Sequence, residues 1–143
     1  TNWQSLMQDL QLDYTLFFDE LEKYDDQKDL RLQFENVSYT FLNDEKISRL
    51  DSFIKEYKSR LEKNIISREK SLEIMHKTNP KFVLRNYLLY QCIEEISDGK
   101  TDMLHKLTHA LENPYHTIYP EFSAKRPSGY DDVSGCSMLS CSS

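Results

Sequence analysis

The sequence is poor in the two residues that interrupt regular structure. Its 143 residues hold three Gly and four Pro, and residues 1–79 contain neither. A stretch that long without breakers, rich in Leu, Lys, Glu and Asp, predicts helix. Glycines so scattered exclude a loop whose backbone N–H groups cradle phosphates. Three Cys are too few, and odd in number, for a disulfide scaffold, so a reducing compartment is expected. No run of apolar residues is long enough to cross a membrane, and no charged segment followed by an apolar core opens the chain as a secretory leader would. A net charge of −6 argues against a general nucleic-acid binder.

What is present describes a globular chain, 38% hydrophobic and 29% charged. Its length fits one domain able to bury roughly 68–70% of its unfolded surface. Leu50, Phe53, Ile54, Tyr57 and Leu61 recur at helical spacing among charged residues, and Leu12, Leu16, Phe17, Leu21 and Tyr24 do the same. A third helix is predicted from Pro80 to about Asp98, with Asn79 as its cap and Pro80 at the first helical position. Phe82, Val83, Leu84, Tyr87, Leu88, Ile93 and Ile96 give it a broad apolar face that should make it central. Gly99 should end it. Thr101 or Asp102 then caps a helix carrying Met103, Leu104, Leu107 and Leu111, stopped by Asn113-Pro114. Residues 25–43 read equally as helix or loop. Six of residues 128–143 are Ser, and with Pro120, Pro127, Gly129 and Gly135 they predict a flexible tail without regular structure. The expected fold is all-α, an irregular helical bundle over 1–119 with an extended tail over 120–143.

Charge is segregated. Residues 1–45 carry net −8, residues 46–85 net +6, and the remainder net −4. The basic middle reads as a solvated helix face, with Asp51–Lys55 and Glu56–Arg60 as i,i+4 pairs. The chain has no His-Arg-Asp catalytic loop, no Asp-Phe-Gly metal motif and no nucleophile elbow. His105 and His109 have metal-ligand spacing, but no Glu follows the first and no third ligand is evident. Glu94-Glu95 point about 100° apart on a helix and read as solvated surface. Cys92 is expected as a buried, inert thiol. Cys136 and Cys141 are expected in the mobile tail, where an accessible thiol can exchange or the two can pair with each other.

Residues Asn79 to Leu88 read NPKFVLRNYL. This block resembles the signature of the YdiU/selenoprotein O family, protein nucleotidyltransferases with a kinase-like fold. Asp13 to Phe18 (DYTLFF) is similar to another segment of that family. So are Phe53 to Leu61 (FIKEYKSRL), Leu111-x-x-Pro114-Tyr115 and the terminal Ser140-Cys141-Ser142-Ser143. Members are several times longer, so the resemblance implies that this chain is the helical C-terminal region following a kinase-like domain. Nucleotide, metal and catalytic residues belong to that domain, and none is expected here. The implied activity of the parent is transfer of AMP or UMP from ATP or UTP, with Mg or Mn, to Ser, Thr or Tyr hydroxyls of protein substrates. The implied partner is the upstream kinase-like domain of the same polypeptide, with no nucleic acid or membrane. The implied setting is the bacterial cytoplasm, or the mitochondrion in a eukaryote. The resemblance also implies a redox role for Cys141, whose counterpart can form a disulfide with a Cys in the activation segment. Cys136 is a departure from the pattern, either an alternative or resolving thiol or an incidental one. Within the signature, Arg85 and Asn86 are expected to bond nearby carboxylates or helix ends while Tyr87 packs in the core. The rival reading is a stand-alone helical module that binds a partner protein through amphipathic faces.

Overall fold

The computed structural model describes residues 2–136. Among them are seven α-helices and no strand: α1 (Trp3–Asp9), α2 (Tyr14–Lys23), α3 (Leu30–Phe34), α4 (Asp44–Glu62), α5 (Arg68–Thr78), α6 (Asn86–Ser97) and α7 (Asp102–Glu112). The fold is all-α, as the composition predicts. The chain divides into two compact units at Asn79–Pro80, which does not coincide with the expected boundary at residue 120.

In the first unit, each helix begins on a side-chain oxygen that takes one of the N–H groups a helix start leaves unpaired. Asn2, Asp13, Asp29, Asn43 and Ser67 accept from Gln4, Leu16, Leu32, Lys46 and Lys70. Asp13 does more. Its Oδ1 takes the Leu16 N–H at 3.1 Å and its Oδ2 takes the Tyr39 hydroxyl at 2.8 Å. Its own N–H donates to Val37 O at 2.7 Å, and Leu12 pairs with Ser38 in an isolated antiparallel bridge. The predicted helix therefore starts at Tyr14, because Leu12 and Asp13 are held extended against residues 37–39. Residues 25–43, ambiguous in sequence, contain α3, a 3-10 turn (Glu35–Val37) and extended chain. The apolar stripes predicted for α2 and α4 meet in one core with Leu6, Leu10, Phe34 and Leu42. Helix α5 buries no residue completely. Lys70 and Lys77, at 2.7 and 2.5 Å, hold the Glu73 carboxyl down at about 2, below its usual 4.5. The support that this pairing gives α5 is complete above the usual value and lost as pH falls toward about 2.

In the second unit, helix α6 starts at Asn86, not at Pro80. Residues 80–85 stay extended because the Lys81 and Phe82 N–H groups both donate to Pro114 O, at 2.7 and 3.0 Å. Asn79 closes α5 instead of opening α6. Gly99 stops α6 as expected, at φ 78°, with its N–H on Ile96 O at 2.9 Å. Thr101 stands at the start of α7, yet its side chain makes no cap bond. Glu95 of α6 supplies the acceptor to Met103 N–H, at 3.4 Å, and so is not simply solvated surface. Tyr87, Leu88 and Cys92 take α6 into the core, but Ile93 lies on its outer side, 55% exposed.

Asp13→Ala should lower stability by about 2–4 kcal/mol, since it removes a cap and strands the half-buried Tyr39 hydroxyl. Tyr39→Phe should cost about 1 kcal/mol. Urea unfolding of the two variants measures both. Equal effects would show that the cap contributes nothing.

Candidate functional site

The two cysteines singled out in the tail have different fates. Cys141 lies outside the described residues. Cys136 is not an accessible tail thiol: it is 1% exposed and shares one core with Cys92, and both are free thiols. The cause is aromatic. Phe122 stacks near Phe82 and Tyr119, at 6.0 and 5.4 Å between ring centroids, and Tyr130 lies 5.5 Å from Tyr87. Burying each large apolar side chain is worth about 1.5–3 kcal/mol, enough to hold a Ser- and Pro-rich segment. Polar contacts fix its path. Gln91 Nε2 donates to the Tyr130 hydroxyl at 2.6 Å, and Ser123 Oγ donates to Lys81 O at 3.2 Å. Arg126 donates twice to Asp131 Oδ1, at 3.2 and 3.0 Å, and to Cys136 O at 3.3 Å. Residues 120–136 thus form two 3-10 turns (Pro120–Ser123 and Ser128–Tyr130) on the helices instead of an extended tail.

The NPKFVLRNYL block is the centre of this arrangement. Phe82, Tyr87 and Leu88 are core residues, and Arg85 is 4% exposed with its carbonyl accepting from Leu88 and Leu89. The block receives Pro114 of the L-x-x-PY segment through its backbone and the tail aromatics through its rings. Near it, the Tyr90 hydroxyl is pushed up from its ordinary value, chiefly by Glu94, and lies within the field of Cys136. His109 Nδ1 faces the Tyr119 hydroxyl at 3.1 Å. Among the described residues, no group of three or more His, Cys, Asp and Glu is placed to hold a metal.

A second feature belongs to the first unit. Trp3, Phe18, Phe53, Tyr57 and Leu61 line an open groove of about 400 Å³, together with the charged Glu56 and Arg60. Its walls are largely aromatic: Trp3 lies 6.2 Å from Phe18, and Phe17 behind them lies 6.0 Å from Phe53. Of the apolar stripe on α4, Phe53 and Tyr57 pack against the core and also line this surface. Asp51–Lys55 pair as expected, at 2.6 Å. Arg60 has no ion-pair partner among the described residues. Neither the groove nor the Glu95 cap was anticipated. Tyr119, Phe122 and Tyr130 were the available signal that the tail is held.

A family described as protein adenylyltransferase SelO matches residues 1–112. The protein nucleotidyltransferase YdiU of Cytophaga hutchinsonii is 38% identical over 115 residues, covering 80% of this chain and 22% of that protein. Those of Xanthomonas oryzae pv. oryzae and Flavobacterium johnsoniae are each 32% identical, over 98% and 99% of this chain and 28% of each relative. The chain thus spans about a quarter of the length of these relatives. No solved structure matches. No helix among the described residues is long and apolar enough to cross a membrane.

Burial predicts low thiol reactivity. In a Cys141→Ser chain, a disulfide reagent should find no fast thiol in the native state and two after unfolding. A fast native thiol that disappears with Cys136→Ser would contradict the packing described.

Proposed function

The chain belongs to the SelO family of protein adenylyltransferases, and on that basis we propose that it is the helical C-terminal region of a longer protein nucleotidyltransferase. In this reading the full-length protein transfers AMP or UMP from ATP or UTP to Ser, Thr or Tyr hydroxyls of protein substrates. The chemistry sits in a kinase-like domain of the same polypeptide, which is the partner of this region. Bound Mg or Mn there offsets the charge that develops when a hydroxyl attacks the α-phosphorus. The present region is scaffold and tail. Its setting is the bacterial cytoplasm, or the mitochondrion in a eukaryote.

One observation carries this reading: the signature's large side chains are used for packing. Phe82, Tyr87 and Leu88 lie in the core, and the Lys81 and Phe82 N–H groups hold Pro114. Residues deployed this way build a framework for chemistry located elsewhere. Cys141 is the redox-responsive thiol of the proposal. It exchanges with a disulfide oxidant and then with a Cys of the activation segment; the two thiols lose two protons, and the oxidant takes up two electrons. Cys136 anchors the chain five residues before it, in place of the resolving role suggested by its position. A second reading, a stand-alone interaction module, is favoured by the open groove in the first unit.

The isolated chain, given labelled ATP or UTP with Mg or Mn, should label neither itself nor an acceptor protein, whereas the full-length protein should. Labelling by the isolated chain would reject the assignment of chemistry to another domain. In the full-length protein, Cys141→Ser should abolish the dependence of activity on reductant; persistence of that dependence would remove Cys141 from the switch. A native protein of about 17.0 kDa in the source cells, instead of one several times larger, would favour the stand-alone module.

A further inference from the structure

We propose that the apolar groove of the first unit is the seat of a segment from the part of the full-length polypeptide lying outside these 143 residues. That segment brings an aromatic or branched aliphatic side chain to the groove and a carboxylate to Arg60. The inference rests on the reading that the chain is part of a longer protein, and it is independent of what reaction that protein performs.

The groove has the character of a binding surface. It is concave, about 400 Å³, and walled by α1, α2 and α4. Concave apolar surfaces with a few placed polar groups are where ligands and side chains bind. Trp3 remains 40% exposed at its mouth. Large aromatics left partly open in a concave site are typical anchors of interfaces.

Charge names the second requirement. Helix α4 carries five cations, and four of them are engaged. Lys46 donates to Thr40 Oγ1 at 3.2 Å, and Arg49 pairs with Asp9 at 2.6 Å. Lys55 pairs with Asp51 at 2.6 Å and Lys58 with Asp26 at 2.7 Å. Arg60 is the exception among the described residues, and it lines the groove together with Glu56, a carboxylate that already has an interaction of its own. A guanidinium beside an apolar cleft offers a planar, two-pronged site for a carboxylate.

The occupant follows from length and shape. The chain covers 22% and 28% of its relatives, so about three quarters of such a polypeptide lies outside it. A segment on the same polypeptide reaches the groove at an effective concentration in the millimolar range, which a separate partner rarely matches. A second copy fits less well. A two-fold dimer would require the same face to present, beside the cleft, a projecting apolar side chain and a carboxylate to fill its mate's cleft.

The test uses the full-length protein with photoreactive benzoyl-phenylalanine replacing Asn64, which lies at the groove one turn beyond Arg60. Irradiation should yield an intramolecular crosslink to a peptide outside these 143 residues that contains an apolar side chain near an Asp or Glu. Arg60→Glu should reduce its yield at least about tenfold, the scale expected for reversing a charge at an interface. Arg60→Lys should retain much of the yield. Arg60 is exposed, so circular dichroism should show both variants folded. A crosslinked dimer would overturn the proposal in favour of a second copy. A crosslink to another protein, to this chain's own residues, or to nothing would overturn it as well. An outside peptide captured equally by wild type and Arg60→Glu would remove the carboxylate and overturn the proposal as stated. The readout needs no nucleotide, so it succeeds or fails apart from the proposed transferase activity.

Discussion

Seven α-helices among the described residues create many helix starts, and each start leaves about four N–H groups without an intrahelical acceptor. How those groups are satisfied governs the architecture. In the first unit the acceptor lies within the same few residues: Asn2, Asp13, Asp29, Asn43 and Ser67 each close their own helix. In the second unit no side chain of that kind is used. Helix α7 takes an acceptor from Glu95 of α6, while the segment before α6 takes one from Pro114, beyond α7. The helix starts of the first unit are therefore capped locally, and those of the second by mutual dependence.

That difference bears on function. A catalytic centre needs charged or nucleophilic groups held exposed in a cleft. Here the most distinctive residues do the opposite. Asp13 is buried, 4% exposed, between a helix start and a tyrosine, and the NPKFVLRNYL block faces inward. Such residues hold each unit together by itself and leave its outer surface open. The groove beside Trp3 and the outward-facing Ile93 of α6 are those surfaces. The relatives that the chain matches are about four times as long.

Helical spacing and one helix stop were legible in the sequence. Helix α4 appeared in the spacing of Leu50, Ile54, Tyr57 and Leu61, and the stop at Gly99 in the residue type itself. Asp13 was visible as part of a motif, though not as a cap shared with Tyr39, because that partner is 26 residues away. The non-local stitching was hidden. Pro80 has the chemistry of a first helical residue, and only the bonds from Lys81 and Phe82 to Pro114 explain why helix waits until Asn86. Cys136 is surrounded in sequence by Ser, Gly and Asp, which suggests solvent. Its burial comes from Tyr130 and Phe122, which pull the whole segment onto α6. Ile93 counts by residue type toward the broad apolar face expected of this helix, yet it is 55% exposed.

The Pro114 carbonyl carries one more consequence. It is held by two backbone N–H groups, so the contact is indifferent to the side chains at positions 81 and 82 and sensitive to the number of residues between the partners. Substitutions along residues 98–101 or 111–116 leave the bonds possible, but inserting or deleting one residue shifts the carbonyl out of reach. This unit therefore tolerates changes of side chain at these positions better than changes of length.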